Sequence, residues 1–571
     1  MKNRSRRAFL LEAGIVLGSA VAVPRLLGEA FVTGAAGSTR ADIGESAESG
    51  IGARQAIRGL MVDAGRVPES MEYYRRVIEF CADWQLNALQ FRLADDQGSA
   101  LKFTSAPDLV MHRNAFTPDE MRGLAEYGRS RGVDVIPELE SFGHTGYITR
   151  SQKYAHLLDQ SAEGGTEFTG VIPVSGETVE LFERLYAEVA EIFPSAYLHA
   201  GCDEVNWGGS VQSQKALKTQ TRTQIWAEYL NKLNAIARGH EKQLIVWGDF
   251  VLHKEPEILA QLDKNIVIMD WNYSENSSAK AAGALAKVRA NGSQGIGAPA
   301  LICYKWGPRG GTEQLRNIDA FADAYRTPGD EASLGVILTN WVPSRYVQRS
   351  IWDGFAYAAV AMRQGTAVAQ TSGLRRFVER HYEAEWSAEW DEVFALIYDD
   401  APHVEDRETA EWMGMTLRVP WSSDEQLAAV VKDGGKRANP YTKLRSLLET
   451  VESTVTKNQE DFKAFALCVE TMERTVLRES AVAALGARGK ADGAAADALI
   501  VNIAARDAAL AKALIEDWDE GRPADSEAKT EPLFGLQPKD QLLLQWRRAA
   551  EYSAELARTP ERFRALVSRA S

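Results

Sequence analysis

Eight short apolar runs, each followed by a stretch with helical periodicity, constrain the fold of this chain more than any other feature. The runs lie at residues 56–63, 86–94, 132–140, 196–204, 243–249, 265–271, 299–306 and 334–341. Runs of this length are typical of buried parallel strands. Eight strand–helix pairs predict an α/β fold, a (β/α)8 TIM barrel at residues 54–368. The alternative is an open doubly wound sheet, but no Gly-rich phosphate loop follows the first run.

The segment before the fourth run shows the predicted alternation of strand and helix. Apolar side chains recur three or four residues apart, at Val179, Phe182, Leu185, Val189 and Phe193. This spacing places them on one face of a helix. Because proline cannot continue a helix, the helix is predicted to end at the residue before Pro194.

The strand pattern stops near residue 372, and helical periodicity continues to the C-terminus. Phe462, Phe465, Val469, Met472 and Val476 form one apolar stripe of the kind that packs into a core. A polar, Pro-containing segment at 519–539 precedes the last long helical stretch. We predict an α-helical C-terminal domain at residues 372–571, packed on the barrel and without catalytic residues of its own.

Composition and net charge narrow the possible partners. The 571 residues, 45% of them hydrophobic, suffice for one large domain and a smaller one. The formal net charge is −14, and no Lys/Arg-rich run follows the first few residues. Since a nucleic-acid-binding protein needs a basic surface to displace counterions, nucleic acid is not an expected partner.

Residues 1–36 have the features of an export signal. Arg6 and Arg7 precede a weakly apolar run, which resembles a twin-arginine (Tat) signal. Residues 37–53 are a Gly/Ser/Ala-rich linker. The run is short for a membrane span, which needs about 20 apolar residues, although a retained N-terminal anchor is the alternative. We expect engagement of the Tat export machinery and a periplasmic, cell-surface or secreted protein.

The cysteines indicate neither a metal site nor a disulfide framework. Cys81, Cys202, Cys303 and Cys468 are far apart in the chain, without the close pairs that metal sites and disulfide-rich domains use. We therefore expect no metal and no cofactor.

Titratable and aromatic side chains gather at the ends of the predicted strands, where the active sites of barrel enzymes lie. Acids and a histidine follow the first four strands, and an indole lies at or near the end of each of the last four. The residues are Asp63, Asp95, Asp96, Glu138, Glu140, His144, Asp203 and Glu204, then Trp247, Trp271, Trp306 and Trp341. Acids that move protons, facing flat rings that pack on a sugar, predict a carbohydrate site.

The motif "HAGCDEV" at residues 199–205 resembles the His-x-Gly-x-Asp-Glu-Val signature of family 20 glycoside hydrolases, the β-N-acetylhexosaminidases. "RGLMVDAGR" (58–66), "LADDQG" (93–98) and "VIPELESFGHT" (135–145) resemble the ends of the family's first three strands. The third normally reads Pro-Glu-Ile-Asp-x-Pro-Gly-His, so Glu140 stands where the family prefers Asp. The resemblance covers about residues 57–345 and is loose after the fourth strand.

This resemblance implies an exo-acting, retaining hydrolase in which the substrate's 2-acetamido oxygen attacks the anomeric carbon and forms an oxazoline. Glu204 would protonate the glycosidic oxygen and then deprotonate water, and Asp203 would accept a hydrogen bond from the acetamido N–H. Glu204 would need a pKa raised by burial or by neighbouring charge. The implied substrate is a glycan or glycoconjugate with a terminal 2-acetamido sugar.

The resemblance also implies the substrate-binding residues, which are Arg58, Glu140, His144, Trp247, Trp271, Tyr304 and Trp341. The arginine would bind ring hydroxyls, and the tyrosine would donate a hydrogen bond to the acetamido oxygen. The three indoles would enclose the methyl group of the acetamido substituent. His144 and Glu140 would tune the acid. The family's carboxylates for the 4- and 6-hydroxyls fall at Trp306 and Pro343, which offer no acceptor, so the sugar specificity stays open.

Other interpretations of single residues stay open. Asp96 is as typical of a helix N-cap as of a site, His199 suits a hydrogen-bonded core position, and Arg58 could pair a buried acid. A Cys202 nucleophile, or a metal at the acid pair, would each need further partners that the motifs do not show. For the whole protein, the alternatives are a glycosidase acting on a different or substituted 2-acetamido sugar and a carbohydrate-binding pseudoenzyme.

Overall fold

The structure, a computed structural model, describes residues 56–161, 169–273, 277–303, 312–326, 329–398, 420–433, 441–487, 493–523, 525–536 and 540–570. The predicted signal segment and linker lie outside the described residues, as do Tyr304 and Trp306. All described residues belong to one compact unit.

Strands and helices alternate through residue 364. The strands are β1 (Ile57–Asp63), β2 (Ala88–Asp95), β3 (Gly98–Leu101), β4 (Met111–Phe116), β5 (Asp134–Leu139), β6 (Tyr197–His199), β7 (Gln243–Trp247), β8 (Val267–Trp271), β9 (Gln294–Ala298), β10 (Ala300–Ile302) and β11 (Ser333–Asn340). The helices between them are α1 (Met71–Asp83), α2 (Pro118–Ser130), α3 (Gly146–Thr149), α4 (Gly176–Ile192), α5 (Val211–Ala216), α6 (Arg222–Gly239), α7 (Glu257–Gln261), α8 (Ser277–Asn291) and α9 (Thr312–Tyr325), and α10 (Trp352–Gln364) follows β11.

Eight of these strands close into a parallel barrel, as predicted. The order is β1, β2, β5, β6, β7, β8, β9 and β11, and β1 pairs with both β2 and β11. The predicted helix before the fourth barrel strand is α4, which ends two residues before Pro194. Strands β3 and β4 extend the sheet beyond β2.

The seventh predicted strand is displaced. The strand that pairs with both β8 and β11 is Gln294–Ala298, whereas the predicted run 299–306 contributes only β10, which pairs with β11. Gly295 and Gly297 lie in the observed strand, and glycine is unfavourable in most strands. An added Cβ at Gly297 would lie 2.7 Å from the ring of Tyr325, so close packing of α9 requires glycine there.

Most barrel strands divide their side chains between two apolar clusters. In β1, Ile57 and Met61 lie in the cluster inside the barrel, while Leu60 and Val62 lie in the cluster between strands and helices. This division follows from the alternation of side chains along a strand. It also means that the side chain of Asp63, at the end of β1, faces the barrel interior.

Beyond the barrel the described residues are helical, as predicted. The helices are α11 (Thr366–His381), α12 (Ala388–Tyr398), α13 (Asp424–Asp433), α14 (Tyr441–Val451), α15 (Gln459–Ala487), α16 (Gly493–Gly521), α17 (Leu542–Arg558) and α18 (Pro560–Ala570). The stripe from Phe462 to Val476 lies on α15, and four of its five side chains are buried. Within the described part of the chain, no helix has the length and apolarity to cross a bilayer.

The barrel and the helical region share one hydrophobic core. A single cluster of buried side chains runs from Leu60 in β1 to Val476 in α15, and α11 crosses the predicted boundary at residues 368–372. The C-terminal region is therefore packed against the barrel over a continuous apolar interface, which sets the position of the segments that follow α16.

Candidate active site

Asp203 and Glu204 lie just after β6, at the carboxyl end of the barrel. Cys202 and Glu204 have φ angles of 73° and 46°, a left-handed conformation that non-glycine residues rarely adopt and that stores strain. The side chain of Asp203 is 9% exposed and that of Glu204 is 25% exposed. The two acids of the motif therefore face different surroundings, and Glu204 is the one open to an incoming group.

His144 connects these acids to a third carboxylate. Its Nε2 atom lies 3.4 Å from Oε2 of Glu204 and 3.7 Å from Oδ2 of Asp203. Its Nδ1 atom lies 3.2 Å from Oδ1 of Asp95, the last residue of β2. One imidazole thus lies between carboxylates from two barrel strands, and proton transfer at Glu204 is linked to the charge of Asp95.

The charges in this group fix its protonation at rest. Burial lowers the pKa of His144, but Asp95 and Asp203 outweigh burial and raise this pKa well above its usual range. Burial raises the pKa of Glu204, but the hydrogen bond and charge of His144 outweigh it and lower this pKa. The expected raised pKa of Glu204 is therefore wrong for the resting site. His144 carries the proton and Glu204 is ionised.

Two arginines that the sequence analysis did not select neutralise the buried acids. Arg92, fully buried, contacts Asp95 through Nη2 at 2.7 Å and Glu140 at 2.6 Å, and also pairs with Glu138. Arg66 contacts Asp63 at 2.9 Å and Asp95 at 3.2 Å. Both guanidinium groups lie over the ring of Trp341, at 5.3 Å for Arg66 and 5.1 Å for Arg92. The sequence could have predicted Arg66 as a site residue from its position, because it lies three residues after Asp63 and beyond the carboxyl end of the strand.

Arg58 does not lie in this site, contrary to the prediction. It is the second residue of β1, so it lies at the amino end of the barrel, and its guanidinium donates to backbone oxygens of Gln85 and Ala56. It also shares the strand phase of Leu60 and Val62, which face the helices. Arg66 is the arginine of this motif at the carboxyl end.

Glu140 holds the backbone of the acid motif through a hydrogen bond. Its Oε2 atom accepts a hydrogen bond from the backbone N–H of Cys202 at 3.0 Å, and burial raises its pKa well above the usual range. Gly201, with φ of 65°, lies so close that an added Cβ would be 2.1 Å from the carboxylate. The glycine of the motif is therefore required by both its backbone conformation and this contact.

The three predicted indoles that the structure describes line the barrel mouth at different depths. Trp247 is buried, donates from Nε1 to Glu138 at 2.9 Å, and lies 5.6 Å from the ring of Trp341. Trp341 donates to the hydroxyl of Tyr273 at 3.0 Å, and the Tyr273 ring lies 5.2 Å from Trp271. Tyr273, which the sequence analysis did not select, completes this aromatic wall.

Among the buried polar atoms of the described residues that have no hydrogen-bond partner are Oδ1 of Asp203 and Nε1 of Trp271, both at the barrel mouth. Since a buried polar group without a hydrogen bond is costly, a ligand with one donor and one acceptor would stabilise this arrangement.

Two further carboxylates lie at the ends of β7 and β8. Oδ2 of Asp249 accepts from the backbone N–H of Glu204 and from Lys254, whereas its buried Oδ1 has no hydrogen-bond partner among the described residues. Asp270 contacts His253 and Tyr325, and it lies next to Trp271 in β8, in the phase that faces the helices. Pro343 is buried, and its carbonyl accepts a hydrogen bond from Arg522 at 2.9 Å.

The open interpretations of single residues resolve in favour of support roles. Asp96 accepts from the backbone N–H of Gly146 and the hydroxyl of Thr169, so it holds the loop that carries His144. His199 accepts from the backbone N–H of Gly201 at 2.9 Å, and burial lowers its pKa well below the usual range. Burial raises the pKa of the Cys202 thiol well above its usual range, which argues against a thiolate nucleophile.

The fold brings together two groups of possible metal-ligating side chains that the sequence spacing did not predict. Asp95, Asp96 and His144 form one group, and His144, Asp203 and Glu204 form another, each with donor atoms within 4.8 Å of one another. Arg92 and Arg66 already neutralise Asp95. Protonated His144 is a cation between the two groups, and its charge is the one that the carboxylates stabilise.

Known proteins are similar to this chain over the barrel. The family description "Glycosyl hydrolase family 20, catalytic domain" matches residues 56–308. The β subunit of β-hexosaminidase from Mus musculus is 26% identical over 262 residues, which are 44% of this chain and 46% of that protein. The same subunit from Felis catus is 27% identical over 227 residues, covering 37% and 43%. The chain thus spans less than half the length of these relatives.

Solved structures are also similar to this chain, at low sequence identity. The Flavobacterium johnsoniae chitobiase is 17% identical, with a TM-score of 0.46, and the similarity covers 86% of this chain and 78% of that one. The match to the family description begins at Ala56, one residue before β1, and ends past β10. It includes all four motifs that carry the candidate acids.

Proposed function

We propose that this protein is an exo-acting, retaining β-N-acetylhexosaminidase that uses substrate-assisted catalysis, because residues 56–308 match the description of the glycosyl hydrolase family 20 catalytic domain. Its substrate is a glycan or glycoconjugate with a terminal 2-acetamido sugar. The observation that carries the proposal is the contrast between the two adjacent acids: Asp203 presents a buried, unpaired oxygen, and Glu204 is open and in contact with His144.

Glu204 supplies the proton for the leaving group. In the resting site this proton is on His144, 3.4 Å from the Glu204 carboxylate. A bound sugar that displaces water raises the cost of the ionised carboxylate, so the proton moves to Glu204 and from there to the glycosidic oxygen. General acid catalysis of this kind contributes about 10² to 10⁴ in rate.

Asp203 supports the substrate's own nucleophile. Its Oδ1 atom accepts a hydrogen bond from the acetamido N–H and stabilises the positive charge that develops there. The acetamido oxygen bonds to the anomeric carbon as the glycosidic bond breaks, which forms an oxazoline. Glu204, now ionised, takes a proton from water, whose oxygen attacks the anomeric carbon, opens the oxazoline and restores the acetamide.

Arg66 and the aromatic wall hold the sugar ring. Arg66 is the cation at the pocket rim beside Asp95 and Trp341, and it takes the ring-hydroxyl role that the sequence suggested for Arg58. Trp271 donates from its unpaired Nε1 atom, while Trp247 and Trp341 pack beside the acyl group. Tyr304 remains the expected donor to the acetamido oxygen.

A release assay tests the proposal. The purified protein is incubated with aryl 2-acetamido-2-deoxy-glycosides and with matched 2-hydroxy glycosides, with and without a thiazoline analogue of the oxazoline. We expect release from the 2-acetamido sugars alone and inhibition by the thiazoline. Ready cleavage of plain glucosides would require an enzymic nucleophile and would contradict the role of Asp203.

One observation favours a second candidate within the same class. Pro343 offers no side-chain acceptor, and its carbonyl is bound to Arg522, so a sugar that is altered or substituted at the 4- or 6-position meets no opposing carboxylate there. The panel therefore includes galacto and 6-substituted 2-acetamido sugars. Binding of these sugars without release would instead favour a carbohydrate-binding pseudoenzyme.

We also propose that the protein is exported through the Tat machinery. Arg6 and Arg7 at the start of a weakly apolar run support this. Replacing both with lysine is expected to retain the protein inside the cell, which fractionation with an activity assay measures.

A further inference from the structure

A buried arginine of the C-terminal region binds two segments at the catalytic end of the barrel. Arg522 follows α16 and donates to Glu69 from Nε at 2.7 Å and from Nη2 at 3.0 Å. The two side chains are 2% and 4% exposed. A buried, two-bonded ion pair of this kind fixes both position and orientation.

This ion pair anchors the loop that carries Arg66. Glu69 lies three residues after Arg66, in the segment between β1 and α1. It also accepts a hydrogen bond from Gln348 at 2.5 Å, and its backbone N–H donates to the Tyr74 hydroxyl at 2.8 Å. The end of the Arg66 loop is therefore held by the helical region, while Asp63 holds the guanidinium itself.

The same arginine anchors the segment that carries Trp341. Nη2 of Arg522 donates to the carbonyl of Pro343 at 2.9 Å. Between Trp341 and Pro343, Val342 has a φ of 57°. The backbone N–H of Val342 donates to Asp63 at 2.9 Å. The turn after β11 is thus fixed from one side by Asp63 and from the other by Arg522.

The orientation of Arg522 is itself determined by its surroundings. Its guanidinium lies 4.0 Å from the ring centre of Trp518, one turn earlier in α16. The end of α16 also approaches the turn closely: Gln348 donates to the carbonyl of Gly521 at 3.2 Å, and a Cβ on Gly521 would lie 2.4 Å from Gln348.

We propose that the C-terminal helical region is a working part of the sugar pocket, and that Arg522 is a positioning residue that holds Arg66 and Trp341 in register with the acid pair. The inference rests on the proposed function for its kinetic readout. Arg66 and Trp341 lie on loops that leave different strands, β1 and β11. A single guanidinium bonded to both loops fixes the distance between them, and errors of about 1 Å in such positions can cost about 100-fold in rate.

Arg349 provides a matched control. It also joins the turn after β11 to α16, through Asp517 at 2.8 Å and Glu520 at 3.1 Å. It contacts neither Glu69 nor Pro343 in the described structure, so its loss weakens the interface without freeing the Arg66 loop.

The experiment compares full-length Arg522→Met and Arg349→Met, with Glu69→Gln as a milder variant should Arg522→Met fold poorly. We expect both arginine variants to lower the melting temperature. Only Arg522→Met and Glu69→Gln are expected to lower kcat/KM for an aryl N-acetylglucosaminide, by about tenfold or more and mainly through KM. Arg522→Lys, which cannot reach both loops, is expected to lie between wild type and Arg522→Met.

Hydrogen exchange gives a readout that does not depend on turnover. Peptides covering residues 64–70 and 341–347 are expected to lose protection in Arg522→Met and to keep it in Arg349→Met. If protection and kcat/KM are unchanged in Arg522→Met, or if Arg349→Met shows equal losses, the positioning role is wrong. If the wild-type protein hydrolyses no 2-acetamido glycoside, the proposed function fails, and the exchange comparison still decides the role of Arg522.

Discussion

The Nε2 atom of His144 lies 3.4 Å from a carboxylate oxygen of Glu204, while its Nδ1 atom lies 3.2 Å from Asp95. Histidine and acid therefore share one proton, and its location depends on what fills the pocket. Burial raises the pKa of Glu204, but the hydrogen bond and charge of His144 outweigh it, and Asp95 and Asp203 raise the pKa of His144, so the proton is held on His144 at rest.

Replacing Glu204 with glutamine is expected to remove general acid catalysis. Hydrolysis of glycosides with poor leaving groups should fall by about 10² to 10⁴, while activated aryl glycosides should lose less, because they need little protonation. Steady-state kinetics on the two substrate types measure the difference. Cys202→Ala is the control, since the thiol has no assigned role. Equal losses on both substrates would remove Glu204 from the acid role.

Arg66→Met is expected to lower kcat/KM far more than Arg58→Met. A charge-assisted hydrogen bond is worth about 1.5–3 kcal/mol, which is roughly 10- to 150-fold in rate, and only Arg66 lies at the pocket. Arg58 donates to backbone oxygens at the other end of the barrel, so its loss should affect stability alone. A larger kinetic effect from Arg58→Met would contradict this and would return the ring-hydroxyl role to Arg58.

The pH dependence of kcat/KM should report the shared proton. The pKa of His144 is raised, so the proton needed by Glu204 is lost only above the usual histidine value of about 6.5. The hydrogen bond and charge of His144 lower the pKa of Glu204, so the proton that Glu204 donates is held on His144 across this range. In His144→Asn the cation is gone, Glu204 must hold the proton itself, and the basic limb should move to lower pH. An unchanged basic limb would show that another group controls it.

The pocket is expected to discriminate weakly between gluco and galacto epimers. A buried acceptor left unpaired by a misplaced hydroxyl costs about 1–3 kcal/mol. Pro343 has no side-chain acceptor, and Asp270 is bound to His253. Asp249 accepts from Lys254 through Oδ2, and its buried Oδ1 has no hydrogen-bond partner in the described structure. The ratio of kcat/KM values should stay within roughly tenfold. A preference above about a hundredfold that is removed by mutating Asp249 would show that this acid has taken over the contact.

Asp461→Asn should destabilise the whole protein without changing the site. Asp461 at the start of α15 accepts two hydrogen bonds from Arg76 of α1, at 3.1 and 2.7 Å, and contacts His381 of α11 at 2.9 Å. The Asp461 carboxylate is buried while Arg76 is partly exposed, so the loss of these charge-assisted hydrogen bonds should cost about 1.5–3 kcal/mol, which denaturant unfolding measures. Asp497→Asn, which breaks a partly exposed pair with Arg564, should cost less than about 1 kcal/mol. Similar costs for the two variants would contradict the interpretation.

The same pair has a pH dependence of known sign. Burial raises the pKa of Asp461, but His381 and Arg76 outweigh burial and lower it. Its contribution is therefore complete above the usual aspartate value of about 3.9 and is lost as the pH falls through the folded-state pKa. The stability difference between wild type and Asp461→Asn should shrink over that acidic range.

Local patterns in the sequence determined the architecture. Short apolar runs and helical spacing depend on neighbouring residues only, so the eight barrel strands, α4 and the helical C-terminal region could be predicted. The seventh strand was predicted too late in the chain. Its two glycines, which the close contact with Tyr325 requires, break the apolar pattern by which the other strands were found. The strand ends also placed Asp203, Glu204 and His144 on one rim, since parallel strands all present their carboxyl ends there.

Only the tertiary structure decided which side chains meet. Both faces of a buried parallel strand are apolar, so nothing in "RGLMVDAGR" shows that Arg58 faces the helices while Arg66 reaches the pocket. The partner of His144 proved to be Asp95, and the charges around the pair reversed the expected pKa of Glu204. Arg522 and Glu69, 453 residues apart, show the limit most clearly, because a contact between distant segments depends on packing of the whole chain and leaves no pattern in either segment.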